Sequence, residues 1–138
     1  TIDLYTGSPK TLLPQAQIKH HGYISYNTKM PEIFRTSKIN LNITLRSIQS
    51  GIPLRAIDIL GCGGFLLSND QEELAKNFID GKEIVLFEND SDLSEKTDYY
   101  LSHENERMDI TINGYQKAAL LYNYETSLNK IFSLCGLT

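Results

Sequence analysis

The chain reads as an α/β domain of three layers, with helices on both faces of a mainly parallel sheet of about five strands and extra helices towards the C-terminal end. Three observations predict it. Short apolar or alternating runs recur at 2–5, 18–24, 39–45, 65–67 and 84–87. From residue 30 onwards they alternate with stretches of helical spacing, and strand–helix–strand units of this length close as right-handed crossovers onto a parallel sheet. Phe65-Leu66-Leu67 and Ile84-Val85-Leu86-Phe87 are apolar throughout, as strands covered on both faces must be. At 138 residues the chain is one domain, large enough for a real core.

Ile2-Asp3-Leu4-Tyr5 forms the first strand, broken by Thr6-Gly7-Ser8-Pro9, and residues 10–16 read as loop. The second strand, 18–24, carries His20 and His21. Neighbours on a strand point to opposite faces, so this pair does not readily share a ligand. Gly22-Tyr23 near its end offers a wall for a flat ring. Asn27 or Thr28 caps a helix over 30–36, with Pro31 early in it. Residues 39–45 alternate apolar and polar with period two, a strand. Asn42-Ile43-Thr44 within it matches a glycosylation acceptor pattern by chance. Residues 46–52 lead into a helix with Pro53 in its first turn and Leu54, Ile57, Leu60 and Gly61 on one face. Gly61, Gly63 and Gly64 stop it before the strand 65–67.

Asp70-Gln71-Glu72-Glu73 is a capping-box pattern opening a helix to about Phe78. Gly81 ends the connection to the strand 84–87. Asp90-Ser91-Asp92 begins a helix whose Leu93, Thr97, Tyr100 and Leu101 share a face, with at least one of Tyr99 and Tyr100 in the core. A further helix covers 104–121, interrupted at Asn113-Gly114, with Arg107 structural beside Glu104 and Glu106. A last helix carries Leu128, Ile131, Phe132 and Cys135 on one stripe. There are no internal repeats and no low-complexity linker.

Composition is that of a soluble globular protein, 41% hydrophobic and 22% charged, with no apolar run of membrane-spanning length and no visible signal peptide. The chain begins at Thr1 and not at Met, as expected of a piece of something longer. Cys62 and Cys135 read as two buried free thiols, which suits a reducing, cytoplasmic compartment. With the two Cys and three His dispersed, no metal-ligand spacing exists, and no metal or cofactor is expected. Net charge is −4 but unevenly placed. Residues 4–57 hold seven basic side chains (Lys10, Lys19, Lys29, Arg35, Lys38, Arg46, Arg55) against Glu32, whereas 58–138 hold six basic and fifteen acidic ones. Such asymmetry points to an anionic ligand. Nucleic acid fits poorly, since no stacking aromatics interleave with the basic residues.

The turn before Pro53 is where that ligand is expected. In parallel α/β sheets ligands sit at the carboxyl ends of strands beside helix N-termini, and the 46–55 stretch holds that position. Gly51 lets the backbone turn sharply. The helix it leads into aims unpaired N–H groups and partial positive charge outward, a place for a phosphate. Arg55 and Asp58, three residues apart, lie on neighbouring surface. Arg55 suits a phosphate oxygen, and Asp58 suits sugar or ribose hydroxyls. Lys38 and Arg46 are further candidates for the same anion.

The stretch 51–69, Gly-Ile-Pro-Leu-Arg-Ala-Ile-Asp-Ile-Leu-Gly-Cys-Gly-Gly-Phe-Leu-Leu-Ser-Asn, resembles the nucleotide-sugar-binding half of GT-B glycosyltransferases, most of all the spore-maturation (CgeB-type) branch of group 1 transferases. The likeness takes in Lys38 to Thr44 before it and Tyr99-Tyr100-Leu101, Glu106-Arg107 and Asn113-Gly114-Tyr115 after it, spanning most of 20–132. The resemblance implies a Rossmann-like domain, 1–138, as the C-terminal half of a longer bacterial two-domain chain. It also implies a cytoplasmic site of action, peripheral to the inner membrane where the acceptor demands it. This half binds the nucleotide-diphosphate-sugar donor, and the missing N-terminal domain holds the acceptor, whether glycan, protein or small molecule. Asp58 then matches the ribose-holding acid, Gly51, Ile52, Leu54 and Arg55 match the phosphate-facing loop, and Gly22-Tyr23 falls near the base-binding turn. No catalytic residue is assigned beyond Arg55 as a candidate leaving-group stabiliser, no general base is identifiable, and the fragment alone is expected to transfer nothing. One departure is Ser50, where many relatives carry a glutamate. It supports an alternative, a non-catalytic GT-B-like binding or assembly module with a degenerate donor site. A dinucleotide binder is the third reading, but Gly61-Cys62-Gly63-Gly64 stands before a strand and not after one, so that fingerprint fails.

Overall fold

A computed structural model describes residues 2–6, 17–45, 47 and 50–137. The order of elements is β1 (Ile2–Tyr5), β2 (Ile18–Gly22), α1 (Met30–Thr36), β3 (Asn40–Asn42), α2 (Leu54–Gly61), β4 (Leu66–Asn69), α3 (Glu72–Asn77), β5 (Val85–Phe87), α4 (Asp90–Ser102), α5 (Glu104–Leu121) and α6 (Tyr124–Leu134). All strand pairs are parallel. The five strands form two sheets, β1-β2 and β3-β4-β5, where one continuous sheet was expected.

Register explains the layers. Asn40 pairs with Leu66 and Leu41 with Leu67, while Leu67 in turn pairs with Val85. Alternate residues of β4 and β5 therefore face opposite sides. Leu66, Ile84 and Leu86 enter one core with Ala56, Ile59 and Leu60 of α2, Leu74 of α3 and Ala118 of α5. Phe65, Leu67, Val85 and Phe87 enter a second with Tyr100 of α4 and Ile110 of α5. Burying each large apolar side chain here stabilises the fold by roughly 1.5–3 kcal/mol. Both faces of β4 and β5 are thus covered, which is why their sequences do not alternate in polarity.

Strand β3 behaves differently. Only Asn40–Asn42 of the expected 39–45 strand pairs with β4. The residues that turn inward are the polar ones: Asn40, Asn42 and Thr44 are buried, whereas Leu41, Ile43 and Leu45 are exposed. Their burial is tolerated because each is bonded. Asn40 Nδ2 donates to the Phe34 and Phe65 carbonyls, and Asn42 Nδ2 donates to Ser68 Oγ and Thr44 Oγ1.

Several local expectations need correcting. Neither Asn27 nor Thr28 caps α1; the N-cap is Lys29, and the Ser25 carbonyl accepts from the N–H groups of Lys29 and Met30. Helix α3 starts after Gln71 with no side-chain cap, so Asp70 closes no capping box. The cap of α4 is Asn89, whose side chain accepts from the Asp92 N–H. On α4 Tyr100 is core, but Leu101 is exposed. Helix α5 runs unbroken through Asn113-Gly114. Gly114 is needed there for close approach: a Cβ would sit 2.3 Å from the Glu83 carbonyl oxygen. Arg107 is buried as a structural residue, donating from Nη1 to the Tyr100 carbonyl at 2.5 Å. Cys62 is half-buried at the end of α2, but Cys135 is exposed, as are Leu128, Ile131 and Phe132 on the α6 stripe.

Candidate functional site

Helix α2 returns from the carboxyl end of β3 towards the amino end of β4, so its N-terminus stands at the carboxyl ends of the strands. Gly51, at φ +87°, makes the turn that leads into it, and nothing lies within 4 Å of where a Cβ would point. Pro53 is the N-cap and not the first helical residue. Its carbonyl accepts from the Ala56 and Ile57 N–H groups. Among the described residues the N–H groups of Leu54 and Arg55 have no acceptor, and the first turn holds no acid. Leu54 and Arg55 are exposed and Ile52 is half-buried. An anion placed here meets free N–H groups and the positive end of the helix dipole.

A polar lattice at the same sheet end holds this turn. Asn69 Oδ1 accepts from the Thr44 N–H at 2.7 Å, and Asn69 Nδ2 donates to the Thr44 carbonyl at 3.1 Å. Gln71 Nε2 donates to the Gly51 carbonyl at 2.8 Å, tying the turn to the residues just beyond β4. The Gln71 Oε1 atom is buried and has no partner among the described residues.

Asp58 lies one turn further along α2, half-buried. The Tyr26 hydroxyl donates to its Oδ2 at 2.5 Å. Burial, then the Asp58 carboxylate that accepts its proton, pushes the Tyr26 hydroxyl up to about 12, with Arg55 pulling the other way. Tyr26 also packs edge-on against Phe34, with ring centroids 6.3 Å apart. Arg55, Asp58 and Tyr26 thus form one cluster. Tyr26 was not singled out in the sequence, because a contact across 32 residues has no local signature.

The remaining candidates are more scattered. Gly22 ends β2 at φ +72° and Tyr23 is 82% exposed. Tyr23 and Gly22 stand three and four residues before Tyr26, so their Cα atoms lie within about 11 and 14 Å of its own. Lys38 is exposed and precedes β3, at the amino end of the sheet, opposite to the α2 N-terminus. Arg46 lies outside the described residues. His21 Nε2 donates to Asp3 Oδ1 at 2.5 Å and the ring stacks on Tyr5, which makes it part of the β1-β2 ribbon. A depression of about 260 Å³ lined by Lys82, Glu83, Asn113, Gln116, Lys117 and Leu120 surrounds the Glu83–Lys117 ion pair and lies away from this cluster. Among the described residues no three His, Cys, Asp or Glu side chains gather as metal ligands.

The sequence profile described as "Glycosyl transferase-like" matches residues 5–133. The chain belongs to this glycosyl transferase-like family. Curated proteins give no match. Among solved structures it is similar to the C-terminal domain of a group 1 family glycosyl transferase (LpcC) from Francisella tularensis, with a TM-score of 0.64 and 20% identity over 80% of this chain and 56% of that one. HepE from Anabaena, solved with UDP-glucose, gives a TM-score of 0.75 and 10% identity over 90% of this chain and 33% of that one. Sucrose-phosphate synthase from Thermosynechococcus elongatus gives 0.72 and 16% over 85% and 29%. At these identities the likeness establishes the fold alone, a Rossmann-like α/β domain. The glycosyl transferase-like chain spans 56% or less of the length of each of these three structures. Among the described residues no helix is long and apolar enough to cross a membrane.

Proposed function

We propose that this glycosyl transferase-like domain binds the nucleotide-diphosphate-sugar donor of a group 1, CgeB-type GT-B transferase acting in the cytoplasm. The acceptor sits on an N-terminal domain of a longer chain. The observation that carries the reading is the start of α2, where unpaired Leu54 and Arg55 N–H groups and an acid-free first turn stand one helical turn from Asp58. A diphosphate rests against the N–H groups, and the Asp58 carboxylate accepts from ribose hydroxyls. When the bond from the sugar anomeric carbon to the β-phosphate oxygen breaks, its electron pair goes to the diphosphate. The fixed N–H groups and the Arg55 guanidinium stabilise that charge. Among the described residues none here is placed to take the acceptor proton, so the domain alone is expected to bind and not to transfer. Because HepE was solved with UDP-glucose, that ester is the first donor to try.

The test is calorimetric titration of the full chain with UDP, GDP, ADP and NAD. A response to one nucleoside diphosphate, lost in Asp58→Ala and Arg55→Ala, supports the reading; a response to NAD alone overturns it. A second reading, a non-catalytic module, is favoured by one contact: the Tyr26 hydroxyl already occupies Asp58 Oδ2. Ser50 adds to it by supplying no carboxylate. No response from any nucleotide, in wild type or Tyr26→Phe, decides for that module.

A further inference from the structure

Asp58 stands half-buried on α2, beside the inward-facing Ala56, Ile59 and Leu60. The packing of those three fixes the helix but not the carboxylate, which turns about its own side-chain bonds. The Tyr26 hydroxyl does fix it, donating to Asp58 Oδ2 at 2.5 Å from 32 residues away in the chain. Tyr26 is anchored in turn. Its ring packs edge-on against Phe34, with centroids 6.3 Å apart. Phe34 is buried, and its carbonyl accepts from Asn40 Nδ2 of β3 at 2.8 Å. The carboxylate is thereby tied through Tyr26 to α1 and to the sheet. The tie nonetheless lies at the surface, where a ligand can reach it: Tyr26 is 41% exposed and Arg55, in the same cluster, is exposed.

We propose that Tyr26 is a positioning residue of the donor site: by holding Asp58 Oδ2 it aims the carboxylate at the ribose and makes the site distinguish ribonucleoside from deoxyribonucleoside diphosphates. This rests on the donor-binding reading above. The tie does not close the site. A carboxylate has about four lone-pair positions on its two oxygens, and one phenol proton takes one of them. Because the hydroxyl is pushed up to about 12, it keeps its proton, and so its role as donor, throughout the neutral range. The spacing along α2 agrees. Asp58 is four residues beyond Leu54, about 6 Å along the axis. That is comparable to the span from a phosphate on the 5′ carbon to the 2′ and 3′ hydroxyls of the same ribose. An acceptor held in place before the ligand arrives loses little rotamer freedom on binding, so more of each hydrogen bond appears as affinity.

Tyr26→Phe keeps the ring on Phe34 and removes only the donor. The experiment measures Kd by calorimetry on the full chain for whichever of UDP, GDP and ADP binds, and for its 2′-deoxy and 3′-deoxy forms. It compares wild type, Tyr26→Phe, Asp58→Ala and the double variant. The readout is the ratio of Kd for the weaker deoxy form to Kd for the ribose form. In wild type this ratio is expected to be about tenfold. It falls to about twofold or threefold in Tyr26→Phe. In Asp58→Ala it is about one, and adding Tyr26→Phe then changes nothing further. A wild-type ratio in Tyr26→Phe overturns the inference. So does an equal loss for ribose and deoxy forms, which marks a merely structural tie, and so does tighter binding of the ribose form, which marks a hydroxyl competing with it. A wild type that binds ribose and deoxy forms alike also overturns it. Each of these results still has a nucleoside diphosphate bound and leaves the donor-site reading standing. Absence of all nucleotide binding overturns both.

Discussion

Replacing Tyr26 with Phe removes the hydroxyl that donates to Asp58 Oδ2 at 2.5 Å and leaves the ring on Phe34. The lift of the Tyr26 hydroxyl from its ordinary 10.0 to about 12 corresponds, at 1.36 kcal/mol for each tenfold, to about 3 kcal/mol if the pair were dry. Tyr26 is 41% exposed, however. Screening by solvent reduces such a pair to about 1 kcal/mol. Folding raises the hydroxyl above its unfolded value, so the contribution is complete below pH 10. It is lost as pH rises from 10 through about 12. Urea unfolding of wild type and Tyr26→Phe at pH 7 should therefore differ by about 1 kcal/mol, with the gap closing across that alkaline window. The difference between the two proteins isolates Tyr26 from Tyr99, Tyr100 and Tyr122, which are also raised. Equal stabilities at pH 7, or a gap that persists at pH 12, would refute an Asp58 held by this hydroxyl.

Two structural substitutions check the packing that positions the site. Gly114→Ala drives a Cβ to 2.3 Å from the Glu83 carbonyl oxygen and 2.8 Å from Leu60 Cδ2, and should cost about 1–3 kcal/mol by thermal unfolding; a neutral outcome would mean that α5 does not press on the Glu83 turn. Arg107→Leu strands the Tyr100 carbonyl near the end of α4 and should lower the denaturant midpoint by about 1–3 kcal/mol of stability. Arg107→Lys should recover only part of it, because the ammonium lacks the reach of the guanidinium fork; full recovery would argue that only charge matters there.

Much of the fold was legible along the chain because local rules and burial agreed. Helix α2 lies between Pro53 and the glycines as read, although its inward face is Ala56, Ile59 and Leu60 while Leu54 and Gly61 of the expected stripe are exposed; β4 and β5 read correctly because strands covered on both faces are apolar throughout. The rules failed where a distant partner overrode a local preference. Gly114 looks like a helix breaker until the Glu83 turn is seen against it. Asp70 has the spacing of a cap, yet the helix begins beyond it. The β3 alternation was visible, but its sense was not, since polar residues turn inward only where Ser68, Phe34 and Asn69 wait to bond them.

By itself the sequence determined the α/β class, the position of the Gly51–Pro53 turn and the presence of a guanidinium and a carboxylate three residues apart on the helix that follows. Those are properties of neighbours in the chain, set by dihedral preference and helical period. Only the tertiary structure decided that Tyr26 meets Asp58, that Gln71 ties down Gly51, and that Lys38 falls at the far end of the sheet. Each of these depends on how parallel strands and returning helices bring remote residues to one edge, which no window of local sequence encodes.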